Sequence, residues 1–270
     1  MTLTEIKDIC KVYNIVPTKS RGQNFLFDQN IIAKIIKSAN LSKKDVVLEI
    51  GPGLGVLTEH LVRHVKRVVA VELDKKIIEF LSNKYKENTN LEVIEGDILR
   101  VDIDSLGLAG GYKIVANLPY NITSNFIRKF LEADNSPTEM IIMVQYEVAK
   151  RMIEKPGKMS ILAVAVQFYS EVEILFKVDR NSFWPSPKVD SAVIKIKMKK
   201  KPDFDNPKHF FRIVKMGFSA KRKQLQNNLS GGLHRDREEI KQILQKVGLD
   251  EKIRAQDLSI KNWIDVIKKI

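Results

Sequence analysis

The chain has one cysteine, four histidines and no long uninterrupted apolar stretch in its 270 residues. A single thiol, Cys10, rules out an internal disulfide framework, which points to a reducing, cytosolic setting. With so few cysteines and histidines a zinc site has little to be built from. His60 and His64 are four apart on a predicted helix, but position 61 is Leu where a metalloprotease helix carries Glu, so they read as a solvated face and no metal is expected. No apolar run approaches the length of a bilayer span. The first residues are polar and of mixed charge, unlike a signal peptide, so a soluble cytoplasmic protein without a membrane partner is expected. Internal repeats and low-complexity tracts are also missing.

Acidic residues are in deficit as well. Lys and Arg number 46 against 33 Asp and Glu, a formal net charge of +13. The excess concentrates between residues 195 and 223, where eleven basic side chains face only Asp203 and Asp205. Such a strip suits a polyanion, although a solvated lysine-rich surface gives the same pattern and charge by itself decides little.

The first two thirds of the chain alternate short apolar runs with amphipathic segments, the pattern of βαβ units around a mostly parallel sheet. Thr2 with Glu5 forms a capping box for a first helix, and Asp28 caps a second. Strands are predicted at 46–50, 67–72, 91–95, 112–117 and 140–145, with helices from about Val56, from Asp74, and over 122–133, 146–154 and 160–169. Extended segments follow at 172–178 and 189–198, separated by a proline-punctuated loop at 182–188. In the second of them Ile194, Ile196 and Met198 alternate with Lys195, Lys197 and Lys199, which gives one buried and one wet face. The charged stretch 199–207, with Pro202 and Pro207, marks a domain boundary near residue 200. It separates an α/β domain at 1–200 from a helical domain at 201–270, whose helices fall at 208–218, 222–230, 236–247 and 260–269.

Chemistry concentrates at strand ends. The first strand runs into Gly51, Gly53 and Gly55, where glycines let backbone approach a ligand closely. An ordinary tight βα turn reads the same way, and Val56 stands where a dinucleotide fingerprint needs Gly or Ala. The second strand ends in Glu72, 21 residues after Gly51, and an acid there can accept both hydroxyls of a ribose; an exposed strand-end acid is the plainer alternative. The third ends at Asp97, which can take the amino group of an adenine or simply cap a turn. Three such signals at the ends of successive strands outline the nucleoside half of an S-adenosylmethionine site.

The fourth strand ends in Asn117, Leu118, Pro119 and Tyr120. An exocyclic adenine amine is a poor nucleophile, and a sulfonium methyl donor is already activated, so the chief need is orientation. The Asn117 side-chain carbonyl and the Leu118 backbone carbonyl can accept from the amine and favour the positive charge that develops on it. Pro119 stiffens the turn, and Tyr120 offers a ring for an extruded base. An Asn-capped proline turn is the structural alternative; an acid–base mechanism lacks a histidine to carry it.

With these residues in view, the chain resembles the ribosomal RNA adenine dimethyltransferase family of class I methyltransferases. The resemblance is carried by Gln23, Asn24, Phe25 and Leu26, by Glu49 through Gly55, by Glu72, by Gly96 and Asp97, and by Asn117 to Tyr120. It continues through Phe183, Trp184, Pro185 and on to Ser191, and through Phe218 and Ser219 followed by Lys221, Arg222 and Lys223. It implies a Rossmann-like α/β domain with a seven-stranded sheet and a small all-helical C-terminal domain. It further implies that Asn24, Leu26, Gly51, Glu72, Asp97 and Asn117 line the cofactor, with residues 24–26 as a lid and with Gly53 in the same turn. Phe183 would sandwich the target base against Tyr120. The implied reaction is dimethylation of two adjacent adenosines near the 3′ end of small-subunit rRNA, within an assembling small ribosomal subunit. S-adenosylmethionine would be the donor and leave as S-adenosylhomocysteine. The basic strip, with Lys221, Arg222 and Lys223, would dock RNA, and the enzyme would act as a monomer. Residues 218–223 and the length of the helical tail point to the small-subunit branch. The competing readings are a large-subunit rRNA methyltransferase of the macrolide-resistance type and an RNA-binding assembly factor without turnover.

Overall fold

In the computed structural model, which describes residues 1–18, 22–108 and 110–270, the apolar runs form strands and the amphipathic segments form helices. Helix α1 (Leu3–Val12) opens on the expected reciprocal box: the Thr2 hydroxyl accepts from Glu5 N, and the Glu5 carboxylate accepts from Thr2 N at 2.6 Å. After the two-residue strand β1 (Phe25–Leu26), Asp28 caps α2 (Gln29–Ser38) by accepting from Asn30 N and Ile31 N. The alternation then runs β2 (Val46–Ile50), α3 (Thr58–His64), β3 (Arg67–Glu72), α4 (Lys75–Lys84), β4 (Leu91–Glu95), β5 (Lys113–Asn117), α5 (Thr123–Glu132), β6 (Glu139–Gln145) and α6 (Tyr146–Met152). It continues with α7 (Ile161–Tyr169), β7 (Ser170–Val178), β8 (Phe183–Trp184) and β9 (Ser191–Met198), then only helices: α8 (Pro207–Gly217), α9 (Leu225–Leu233), α10 (Arg237–Lys246) and α11 (Ile260–Ile267).

Seven strands form one sheet in the order β4-β3-β2-β5-β6-β9-β7. The pairings from β4 to β6 are parallel, and β9 joins β6 antiparallel. Parallel strands covered on both faces must be apolar almost throughout. That explains why Val68 to Val71, Ile114 to Ala116 and Met140 to Val144 are all buried. On β9 the alternation holds: Ile194 and Ile196 are buried, while Lys195 reaches Glu139 at 2.8 Å. From β2 the chain winds outward to β3 and β4, then returns to place β5 on the other side. The crevice beyond the ends of β2 and β5 is therefore a topological switch point, where open α/β sheets bind ligands.

Two details depart from the sequence reading for local reasons. Helix α3 begins at Thr58 instead of near Val56, because Gly55 at φ +76° keeps the preceding turn out of helical geometry. The proline loop contains β8, which pairs antiparallel with β1, Leu26 opposite Phe183.

The chain divides into two compact units, Met1–Ala149 with Glu173–Met198, and Lys150–Val172 with Lys199–Ile270. A boundary near residue 200 therefore captures only the second crossing; residues 150–172 also belong with the helices. The reason is packing within the second unit. The last turn of helix α7 carries Phe168, whose ring stacks on Phe210 of α8 at 4.3 Å between centroids and meets Phe211 edge-on at 5.2 Å. The rest of that core gathers around Trp263, Leu225, Leu229 and Leu244. Among the described residues, no helix is long and apolar enough to cross a membrane.

Candidate active site

The turn after β2 needs glycine. Gly51 and Gly53 sit at φ +60° and +54°, a region that costs an L side chain about 1–2 kcal/mol. A Cβ on Gly53 would also lie 3.3 Å from the Phe25 ring, so β1 lies directly over the turn. Three contacts hold β1 there. Phe27 N donates to Ser182 O at 3.1 Å, the Ser182 hydroxyl donates to Asp28 Oδ2 at 3.1 Å, and the Asn117 amide donates to Asn24 O at 3.3 Å. The segment 24–26 is thus strapped across the switch point from the β8 side and from the end of β5.

Beneath it lies a cavity walled by the ends of β2, β3, β4 and β5. Glu72 is 8% exposed; its Oε1 accepts from Leu73 N at 2.8 Å and Asp74 N at 3.0 Å, and its Oε2 from Gly53 N at 3.4 Å. Burial raises its pKa despite those three donors, which act in the opposite sense. Glu49 is deeper still, 1% exposed, and accepts from the Thr58 hydroxyl at 2.6 Å. Burial, helped by repulsion from Glu72 and opposed by the Thr58 hydrogen bond, pushes its carboxyl up to about 8. Asp97 is half-buried; its Oδ1 accepts from Leu99 N at 3.0 Å, so it caps a short turn as well as lining the cavity. Three carboxyl groups enter this cavity, and among its described lining residues there is no lysine, arginine or histidine. A wall of that kind repels phosphate and suits a ligand that is cationic or rich in hydrogen-bond donors.

The fourth strand delivers the tetrapeptide to the same place. A Cβ on Gly51 would sit 3.6 Å from the Pro119 ring, so the glycine turn and the tetrapeptide touch. Leu118 is buried and its N–H donates to Met143 O at 3.2 Å. The Tyr120 hydroxyl is 2.6 Å from Ser191 Oγ, and burial raises the phenol pKa, which keeps it protonated. Asn24 O is a carbonyl and can take only the NH₂ edge of Asn117, which leaves Asn117 Oδ1 as the acceptor for a ligand.

Every residue expected at the cofactor, and all four residues of the tetrapeptide, line this one cavity. Phe183 does not. It is 3% exposed and packs with Leu26, Val178 and Val193 in the hydrophobic core, where it supports β1. Lys221, Arg222 and Lys223 are exposed in the turn between α8 and α9 of the second unit. Of the wider basic strip, Lys195, Lys199 and Lys201 are neutralised by Glu139, Asp203 and Asp205. Sequence reasoning gave Glu49 and Thr58 no role; the available signal was an acid inside an otherwise apolar parallel strand.

Comparison with known proteins agrees with this geometry. Residues 17–270 match the ribosomal RNA adenine dimethylase family. The chain belongs to that family. The chain is 43% identical over 265 residues to the ribosomal RNA small subunit methyltransferase A of Clostridioides difficile, covering 95% of this chain and 92% of that one. It is 38% identical over 264 residues to the protein of that name from Dehalococcoides mccartyi, covering 97% and 91%. Among solved structures, a dimethyladenosine transferase from Plasmodium falciparum superposes with a TM-score of 0.78 at 27% identity, covering 90% of this chain and 95% of that one. The 23S rRNA methyltransferase ErmE superposes with a TM-score of 0.74 at 28% identity, covering 91% and 99%. The dimethylase fold thus serves proteins named for both ribosomal subunits.

Proposed function

We infer that this dimethylase transfers methyl groups from S-adenosylmethionine to the exocyclic amines of two adjacent adenosines near the 3′ end of small-subunit rRNA. The observation that carries the reading is the cavity itself: acids at the ends of β3 and β4 and the Asn117–Tyr120 corner at the end of β5 open into one space, with no basic side chain among its described lining residues. The names of relatives at 38–43% identity favour the small subunit as substrate.

The lining fits the donor. Glu72, anchored by three backbone N–H groups, would hold the ribose hydroxyls, and Asp97 would take the adenine amino group. Gly51 and Gly53 leave room for the chain of the ligand, and residues 24–26 cover it. When bound, S-adenosylmethionine supplies a methyl group already activated on a sulfonium, and it leaves as S-adenosylhomocysteine. The protein's own task is then alignment. Asn117 Oδ1 and the Leu118 carbonyl would hold the two N–H bonds of the target amine, which turns its lone pair toward the methyl carbon. They would also stabilise the positive charge gained by that nitrogen as the new C–N bond forms. Tyr120, held by Ser191, would give the flipped base a face to stack on. RNA would be docked by Lys221, Arg222 and Lys223 on the second unit, with an assembling small subunit presenting the substrate to one copy of the enzyme.

Incubation with radiolabelled donor and two substrates, immature small subunits and large-subunit rRNA, tests the assignment. Label appearing as dimethyladenosine only in the small-subunit RNA is the expected result. Label confined to large-subunit RNA would move the protein to the other branch, and no transfer to either would leave a binding factor.

A further inference from the structure

We propose that Lys129 is a positioning residue of the donor cavity, clamping the turn that presents Asp97. The inference rests on the reading of Asp97 as the partner of the donor's adenine.

Asp97 stands at the amino end of a single tight turn. Arg100 N and Val101 N both donate to Asp97 O, at 2.8 and 2.9 Å, while Leu99 N donates to the Asp97 carboxylate. The turn closes against its own start: a Cβ on Gly96 would lie 2.7 Å from Val101 Cγ2. One such turn has little cohesion of its own, since its carbonyls have no following turn to donate to them. Lys129, half-buried on α5, supplies the missing donors. Its ammonium donates to Ile98 O at 2.9 Å and to Val101 O. A cation thus sits on the carbonyl end of the turn and a carboxylate on its amino end, the favourable sense at both termini. Ile98, one of the two carbonyls held, belongs to a residue that itself lines the cavity.

The geometry has a second consequence. Helix α5 starts three residues after Tyr120, so the helix launched by the tetrapeptide is the one that grips the Asp97 turn. Lys129 joins the wall at the end of β4 to the wall at the end of β5, two strands that are not neighbours in the sheet. Lys129 is not among the residues that line the cavity. It acts through Asp97.

The test is calorimetric binding of S-adenosylhomocysteine to the full chain, without RNA. Lys129→Met should weaken binding about tenfold, the scale of one charge-assisted hydrogen bond lost to the site. Lys129→Arg should restore most of the affinity, and Lys129→Gln, with one donor group, should fall between and stands in if the Met variant does not fold. Combined with Asp97→Ala, Lys129→Met should add nothing further. An S-adenosylhomocysteine analogue with hydrogen in place of the adenine amino group should bind wild type and Lys129→Met alike. Wild-type affinity in Lys129→Met beside a weakened Asp97→Ala, or losses that add in the double variant, would overturn the positioning role alone. Unchanged affinity in Asp97→Ala would instead remove the adenine assignment on which the role depends.

Discussion

Glu49 and Glu72 in the first unit, and Gln226 and Asn228 in the second, are all less than a tenth exposed. Their partners differ. The Asn228 amide donates to Gly217 O at 2.6 Å and Ala220 O at 3.1 Å, and the Gln226 amide donates to Glu251 O at 2.8 Å. Both amides are consumed in holding loops between helices. The carboxylates of the first unit are acceptors whose environment is a cavity, and burial works against their ionisation. Burying a polar group always costs free energy, so what repays it identifies its purpose. In the helical unit the return is a folded loop. In the α/β unit, on the function proposed above, it is a prepared surface for a ligand that brings its own donors and positive charge.

The sharpest way to break that contrast is Asn117→Ala. If Asn117 Oδ1 is an acceptor aimed at the reacting amine, turnover should fall roughly 10²–10³-fold, the usual cost of removing one group that stabilises developing charge. RNA affinity, measured by filter binding, should stay within about twofold of wild type, because phosphate contacts dominate it. Loss of RNA binding would reassign Asn117 to the fold. On the other unit the opposite pattern is expected. Replacing Lys221, Arg222 and Lys223 together by Ala should weaken RNA binding and reduce the log–log salt slope by roughly one unit per lost phosphate contact. Donor affinity should not move. An unchanged slope would remove that turn from the docking surface.

The legible parts of this molecule were those whose cause is local. Strands β2 and β3 could be read to the residue because parallel strands buried on both faces are nearly continuous apolar runs. The caps at Thr2, Asp28 and Asp74 were equally plain, since a capping side chain bonds backbone within three residues of itself. The strand-end part of the cavity lining followed from strand order, which places successive strand ends side by side, whereas Asn24 and Leu26 came only from the family resemblance. What stayed hidden depends on partners far along the chain. Strand β8 is two residues long and exists only because β1, more than 150 residues earlier, pairs with it. The burial of Phe183 follows from that pairing. Helix α7 has an apolar composition that fits either unit, and its packing in the folded protein, with Phe168 and Tyr169 against Phe210 and Phe211, assigns it to the second. Lys129 looks like any helical lysine until the turn it caps is folded beside it.

A smaller effect tests the second unit's side of the comparison. Asn228→Ala leaves the Gly217 and Ala220 carbonyls without that amide, and it should destabilise the protein by about 1–3 kcal/mol in chemical denaturation. Donor affinity should be retained. Because Ala220 immediately precedes the basic turn, the RNA salt slope should also soften at temperatures near the melting transition, and a slope that holds there would show that the turn is braced by other contacts.

The last substitution, Glu49→Gln, is informative through its sign. An unfolded glutamate titrates near 4.5, while burial carries Glu49 to about 8 in the fold. Between those values the folded chain binds a proton that the unfolded chain has released, so stability must decline as pH rises. The contribution is fully present below about pH 4.5 and is lost as pH climbs through about 8. Gln mimics the protonated carboxyl, keeps an acceptor for Thr58 and cannot ionise. Melting temperatures taken from pH 5 to pH 8 should therefore fall less steeply for Glu49→Gln than for wild type, with the variant the more stable at the alkaline end. A bound cation beside Glu49 would favour its ionised form and lower its pKa. In wild type the donor should then release a fraction of a proton on binding near neutral pH, readable as a buffer-dependent heat, and Glu49→Gln should show less. Equal pH slopes for the two proteins would mean that Glu49 ionises freely in the fold, and the cavity would lose its deepest acid as a distinguishing feature of the first unit.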